Sequence, residues 1–342
     1  MGHVDWDRLP LSRATAHRQA ERRTDPGVVA DALLEGSTRV LLLHRGKVAV
    51  VGDPKGAREL ALVAATALDA AVVASASSAA DQRPGEWFYL GGNDATEAAS
   101  ETYVALALSD DAGGASLDIE GIAPEDPADR LVEEHTWASL RDVGATLTDR
   151  DAGLATEAVA LAAWHGRNPR CPRCGEPTEA TGGGWVRRCT NDGTDHYPRT
   201  DPAVIMAVVD ESDRLLLGHS AHWPQGRYST LAGYVEPGES VEAAVRREVE
   251  EEAGIRIGAV EYRGSQPWPF PASLMLAFVA HATTTDVVVD GVEVTDALWF
   301  TRPELAEAVA SGAVMLPTRT SIARALVEDW YGEDLTGSWA DR

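Results

Sequence analysis

Residues 233–255 read GYVEPGESVEAAVRREVEEEAGI, and this segment constrains the fold more than any other. Ser240 is a strong N-cap residue and Gly254 a strong helix stop, which predicts a helix of about 13 residues between them. On that helix Glu248, Glu251 and Glu252 stand at i, i+3 and i+4, so three carboxylates share one face. Val241, Ala244, Val245 and Val249 supply the opposite, core-facing side. Like charges so placed oppose helix formation. A divalent cation removes the repulsion, and an all-oxygen donor set selects Mg²⁺ or Mn²⁺, ions that commonly meet phosphate oxygens. Spacing alone is also met by a solvated acidic face, the ordinary explanation for a run of charge.

The pattern as a whole decides between the two. Gly233, Glu239, Arg247, Glu248, Val249, Glu251, Glu252, Gly254 and Ile255 fit G-x5-E-x7-R-E-U-x-E-E-x-G-U, with U apolar, at every defined position. The segment resembles the Nudix box. The resemblance implies an α+β Nudix fold, a mixed sheet sandwiched by helices, that hydrolyses nucleoside diphosphates linked to another group. It implies that Glu239 pairs with Arg247 to position the helix, while Gly233 and Gly254 permit tight turns. It implies that Glu248 and Glu252 ligate Mg²⁺ or Mn²⁺, with Glu251 as ligand or acid/base and Ala232 giving its backbone carbonyl.

Downstream lies Ser265-Gln266-Pro267-Trp268-Pro269-Phe270-Pro271-Ala272-Ser273. Three prolines in five residues exclude helix and interior strand and predict an extended rail. Trp268 and Phe270 on such a rail suit stacking against a nucleobase, worth about 1–3 kcal/mol; core plugs are the bland alternative. The run is similar to the SQPWPFPxS signature of the NAD(H) pyrophosphatase branch, the NudC type. That likeness implies that residues 266–273 line a dinucleotide site and that Glu293 is a further metal ligand. It also implies that Tyr197 and Tyr234 contact substrate, with Ala323 and Arg141 as weaker carry-overs. Known members of the branch also remove NAD caps from RNA.

Three cysteines, Cys171, Cys174 and Cys189, lie within one short stretch. An odd, clustered set is not a disulfide framework and points to metal. The spacing is similar to the family's zinc ribbon, C-x2-C-x14-C-x2-C, but Asp192 stands where a fourth Cys is expected. Zn²⁺ accepts carboxylate oxygen, so Asp192 is the expected fourth ligand of a structural zinc, with Asp195 or His196 as other candidates.

Length and charge frame the rest. The chain has 342 residues, which calls for more than one domain. The expected division is an N-terminal α/β domain over 1–166, a zinc ribbon over 167–199, a Nudix domain over 200–330 and a loose tail over 331–342. No internal repeat is evident, although the hairpins at 39–51 and 203–218 are similar in plan. The net charge of −24 argues against a DNA partner and against general polyanion binding. The ribbon is locally basic, with Arg167, Arg170, Arg173, Arg187, Arg188 and Arg199 against only Glu176, Glu179, Asp192 and Asp195, which makes capped-RNA contact there an expectation. The start has no apolar signal core, and residues 60–80, although apolar, are broken by Asp69. A cytoplasmic protein without membrane contact is expected, and the resemblance implies a homodimer. The rivals for NADH or NAD⁺ as substrate are another dinucleotide, such as ADP-ribose or a diadenosine polyphosphate, and a non-catalytic nucleotide sensor.

Overall fold

The computed structural model of the chain describes residues 4–53, 56–77, 85–93, 100–113 and 126–339. Its contacts separate residues 13–199 with 269–272 from residues 1–12 with 200–268 and 273–342. The ribbon therefore groups with the N-terminal unit, and the first residues group with the C-terminal one.

In the N-terminal unit α1 (Val28–Leu34) leads into β1 (Thr38–His44), β2 (Lys47–Gly52), β3 (Arg58–Leu60), β4 (Val63–Ala64) and a short α2 (Ala70–Ala74). Next come β5 (Gly85–Gly92), β6 (Thr102–Leu108), α3 (Pro127–Glu134), β7 (Thr136–Ala138), α4 (Leu140–Val143) and α5 (Asp149–Arg167). The sheet order is β3-β2-β1-β6-β5, with β4 against β1 and β7 against β2. The unbroken apolar run Val40–Leu43 is what a strand covered on both faces requires. Val40 and Leu42 join a cluster with Val29 and Ala32 of α1, and α5 packs on β1 and β5. Thr148 caps α5, its side chain accepting from the Asp151 N–H at 3.2 Å.

The ribbon's β8 (Thr178–Thr181), β9 (Val186–Cys189) and β10 (Asp195–His196) form a three-stranded sheet. Its anchor is Arg187. This guanidinium is buried and donates to Glu86 at 3.0 Å, to Thr178 Oγ1 at 2.6 Å and to His165 Nδ1 at 2.7 Å. Because His165 Nδ1 accepts there, its Nε2 carries the proton and donates to the Gly184 carbonyl at 2.7 Å. Arg187 is thus spent inside the fold, which removes it from the expected RNA-contacting set; Arg170, Arg173 and Arg188 remain exposed.

The C-terminal unit contains β11 (Asp201–Val209), β12 (Leu215–Ser220), β13 (Leu231–Tyr234), α6 (Val241–Ala253), β14 (Ile257–Trp268), β15 (Ser273–Ala282), β16 (Val294–Phe300), α7 (Arg302–Ala310) and α8 (Ile322–Tyr331). The sheet order is β14-β15-β11-β12-β16, with β13 on β11. Alternation along β11 divides the core. Val204, Met206 and Val208 pack with Val245, Val249 and Ala253 of α6. Ile205, Ala207 and Val209 pack with Leu305 of α7 and Ile322 and Leu326 of α8. The mixed sheet is thus sandwiched by helices, as expected.

Two chain ends complete this unit. Leu9 is buried in the α7/α8 core, and Ser12 Oγ donates to the Ser265 carbonyl at 2.9 Å. The tail, expected to be loose, is tied over its described part. Arg324, fully buried, donates to the carbonyls of Gly337 and Leu335 and to Glu328, and Trp339 packs on Trp223 with ring centroids 4.8 Å apart.

The two sheets share one plan. A strand pairs antiparallel with the next (β1 with β2, β11 with β12) and parallel with a later one (β1 with β6, β11 with β15). A short strand lies antiparallel on the first (β4, β13), a helix follows it, and an edge strand pairs with the later strand (β5, β14). β7 pairs with β2 as β16 does with β12. The repeat that the residues do not display is therefore present as topology. Where the second copy has α6 with its glutamates, the first has α2, Ala-Ala-Val-Val-Ala.

Within α5, Glu157 is buried with Oε1 unpartnered, and burial outweighs Arg18 and Arg23 to push its carboxyl up to about 7. The folded chain then holds a proton that the unfolded chain releases near pH 4.5, so this group's contribution is intact below that pH and is lost as pH rises through about 7. Glu157→Gln should flatten the fall in stability between pH 5 and 8 and raise stability at pH 8 by roughly 1–3 kcal/mol. Urea melts at both pH values check this; an unchanged slope contradicts it.

Candidate active site

The helix α6 forms where its caps require. Ser240 Oγ accepts from the Ala243 N–H at 3.2 Å, and Gly254 adopts φ 69°, a left-handed conformation that closes the helix. Val245 and Val249 fix the helix against the sheet, which leaves the glutamate face to the site.

Arg247 organises that face. It forms a two-pronged contact with Glu239, Nε to Oε1 at 2.8 Å and Nη2 to Oε2 at 2.8 Å. Its Nη1 donates to Glu248 at 2.9 Å and to Glu251 at 3.0 Å, and Nη2 also reaches the Tyr234 carbonyl at 3.0 Å. One planar cation therefore ties the loop after β13 to the helix and orients two of its carboxylates. Arg247 beside it, first, and the Glu236 N–H, second, hold the Glu239 carboxyl below its ordinary range.

Glu248 lies over Gly233. A Cβ at position 233 would fall 1.9 Å from Glu248 Cδ, so only glycine leaves room for the carboxylate. Burial raises the Glu248 carboxyl, with Arg247 opposing and Glu251 and Glu293 adding to the rise. Glu252 is buried, and its Oε2 has no partner. Burial first, then the charges of Glu248, Glu293 and Asp290, push it up to about 8, while the Ala232 backbone opposes the rise. A buried, unsatisfied carboxylate oxygen surrounded by like charge fits a hard divalent cation, which would supply the missing partner and reverse the shift. Glu248, Glu252, Glu293 and the Ala232 carbonyl would hold such an ion.

The Pro-rich segment is not a free rail. Pro267 and Trp268 end β14, an edge strand, opposite Leu274 and Ser273 of β15, and the peptide between Phe270 and Pro271 is cis. Gln266 is fully buried; its Nε2 donates to the Thr320 carbonyl at 2.9 Å and its Oε1 accepts from the Ile322 N–H at 2.9 Å, so the amide clamps the start of α8. Ala323, in that first turn, is also buried. Tyr234 is exposed, and its hydroxyl lies 3.2 Å from Ser273 Oγ. In the N-terminal unit the Arg141 guanidinium lies 4.1 Å from the centroid of Phe270, which joins two residues inferred separately. Pro269, Pro271 and Ala272 group with that unit, and Tyr197, also there, is exposed.

In the ribbon, donor atoms of Cys171, Cys174, Cys189 and Asp192 all lie within 4.8 Å of one another. Among the described residues this is the one set of Cys, His, Asp or Glu donors that converges so closely. The Thr194 N–H, first, and its hydroxyl and the Cys189 thiol hold the Asp192 carboxyl down to about 2, so it stands ionised and ready to ligate. Three sulfurs and one oxygen at this separation fit tetrahedral Zn²⁺, and Asp192 takes the place of the fourth cysteine.

Family comparisons match three stretches of the chain. Residues 199–318 match the NUDIX domain, residues 167–197 the NADH pyrophosphatase zinc ribbon domain, and residues 37–164 the NADH pyrophosphatase-like rudimentary NUDIX domain. The C-terminal part of the chain is thus a Nudix domain. The rudimentary domain is the topological copy that lacks the glutamate helix. The chain is 41% identical over 196 residues to the NAD-capped RNA hydrolase NUDT12 of Macaca fascicularis, covering 54% of this chain and 42% of that protein. It is 41% identical over 201 residues to the NAD-capped RNA hydrolase NudC of Mycobacterium bovis (strain BCG / Pasteur 1173P2), covering 56% of this chain and 64% of that one. The match thus spans less than two thirds of either relative. A solved Nudix hydrolase from Nitrosomonas europaea is 22% identical with a TM-score of 0.38, covering 49% of this chain and 96% of that one.

Purified protein should contain about one zinc per chain. Asp192→Ala should lose it to a chelator faster than wild type, and Asp192→Cys should hold it at least as well. Elemental analysis after dialysis checks this, and zinc-free protein that is folded and active refutes it. At the helix, Gly233→Ala should lower turnover by about 10²-fold through displaced Glu248, with little change in melting temperature.

Proposed function

We propose that the chain is a diphosphatase dependent on Mg²⁺ or Mn²⁺ that hydrolyses the central pyrophosphate of NADH or NAD⁺ to AMP and the nicotinamide mononucleotide. The observation that carries this reading is the buried Glu252 carboxylate, its Oε2 without a partner, beside Glu248 and Glu293 and held on a helix whose orientation Arg247 and Glu239 fix. When bound, the cation neutralises phosphate charge and lowers the pKa of a water at phosphorus. The chain's own residues do the rest. Glu248 and Glu252 would hold that ion. Glu251, exposed and tied to Arg247, is the group we assign to accept a proton from the attacking water. Tyr234 and Trp268 offer aromatic faces at one end of the sheet, where a nucleobase gains by stacking.

The names of the relatives extend the substrate to NAD-capped RNA, from which the same cleavage releases nicotinamide mononucleotide and leaves a 5′-monophosphate. The exposed Arg170, Arg173 and Arg188 of the ribbon support RNA contact, although net charge opposes it. The reading includes a cytoplasmic homodimer, supported by free cysteines grouped for metal rather than for disulfides and by the family resemblance. It includes no membrane association; no helix among the described residues is long and apolar enough to cross a bilayer.

Incubation with NADH and Mn²⁺ should yield AMP and reduced nicotinamide mononucleotide, and Glu251→Gln/Glu252→Gln should lower the rate by about 10²-fold or more. Chromatography of the products decides. Faster cleavage of ADP-ribose or diadenosine polyphosphates would change the substrate assignment, and NADH binding without turnover would make the protein a sensor.

A further inference from the structure

Glu293 stands at the end of the connection between β15 and β16, and no motif explains how that connection keeps its shape. Asp290 does. Its Oδ2 accepts from the Glu293 N–H at 3.0 Å and its Oδ1 from the Val294 N–H at 2.9 Å, and the Val292 backbone bonds to it as well. Gly291, at φ 71°, allows the tight turn, and its N–H donates to the Val294 carbonyl at 3.0 Å. A carboxylate that receives several N–H groups from one short turn holds that turn in a single conformation.

The turn is also registered against α6. The Val288 N–H donates to the Ala253 carbonyl at 2.9 Å, which satisfies an open acceptor at the helix end. Val287 and Val289 pack into the core that holds Val249 and Ala253. A Cβ on Gly254 would come within 3.0 Å of Val288 Cβ, a measure of how closely the connection approaches the helix. The Trp299 indole N–H donates to the Thr285 carbonyl at 3.0 Å and fixes the other side. Asp290 therefore holds the turn that carries Glu293, and Val287, Val288 and Val289 join that turn to the helix that carries Glu248 and Glu252.

We propose that Asp290 is a positioning residue that holds Glu293 against Glu248 and Glu252 and thereby sets the affinity of the site for a divalent cation. The inference rests on the assignment of these glutamates as cation ligands. Because the Asp290 oxygens are committed to backbone N–H groups, its contribution passes through Glu293 rather than through coordination. Its removal should therefore matter only while Glu293 is a carboxylate.

The test is Mn²⁺ binding to the full chain with zinc in the ribbon, read as the free-ion electron paramagnetic resonance signal. Wild type, Asp290→Ala, Asp290→Asn, Glu293→Gln, Asp290→Ala/Glu293→Gln and Glu252→Gln are compared, with thermal melts of each. Asp290→Ala should weaken Mn²⁺ binding about tenfold, the scale typical of residues that orient metal ligands. Asp290→Asn, which keeps one acceptor oxygen, should fall between it and wild type with an unchanged melt. The double variant should bind no more weakly than Glu293→Gln alone. Wild-type affinity in both Asp290 variants, or additive losses in the double variant, overturns the proposal. If wild type does not bind Mn²⁺, or Glu252→Gln binds it equally well, the assignment of the glutamates themselves falls and takes this inference with it.

Discussion

The guanidinium of Arg247 meets three carboxylates and a carbonyl, and the candidate active site is arranged around that one group. Without it, Glu239, Glu248 and Glu251 would repel, and the loop after β13 would lose its tie to α6. With it, charge that opposes the helix is converted into directed hydrogen bonds. The arrangement leaves Glu252 as the uncompensated member. It is buried, one oxygen is unpartnered, and like charges surround it. Structure thus concentrates the unmet electrostatic demand of the helix at one atom, where a cation answers it.

The ribbon solves a related problem differently. There the donors converge, and the carboxylate among them is kept ionised by a backbone N–H rather than raised by burial. Two carboxylates in one chain are pushed in opposite directions, Glu252 by desolvation and Asp192 by hydrogen bonding. The difference suits the tasks proposed for them, an exchangeable ion in one case and a fixed staple in the other.

Much of this was legible in the residues because local rules govern it. Ser240, Gly254 and the spacing of Glu248, Glu251 and Glu252 specify a capped helix with one acidic face, and the structure has that helix. The cysteine spacing likewise located the ribbon donors, including Asp192. Other features escaped because they depend on partners remote in sequence. Gln266 belongs to a run associated with substrate, yet its amide is consumed by Thr320 and Ile322. Arg187 counts as surface charge by composition and proves to be a buried anchor. Asp290 sits in an Asp-Gly pair, an available turn signal, but its link to α6 appears only in three dimensions. The repeated topology was hidden because strands tolerate any apolar residues that keep alternation, whereas the acidic helix does not survive in the first copy.

The docking of residues 4–12 on the C-terminal unit bears on how the chain is made. Leu9 and Ser12 leave the ribosome well before β14, α7 and α8, which receive them and lie more than 240 residues later. At translation rates of about 5–20 residues per second, these early residues wait on the order of tens of seconds for a place to dock. Completing the C-terminal unit therefore requires the recovery of a segment made long before the elements that hold it.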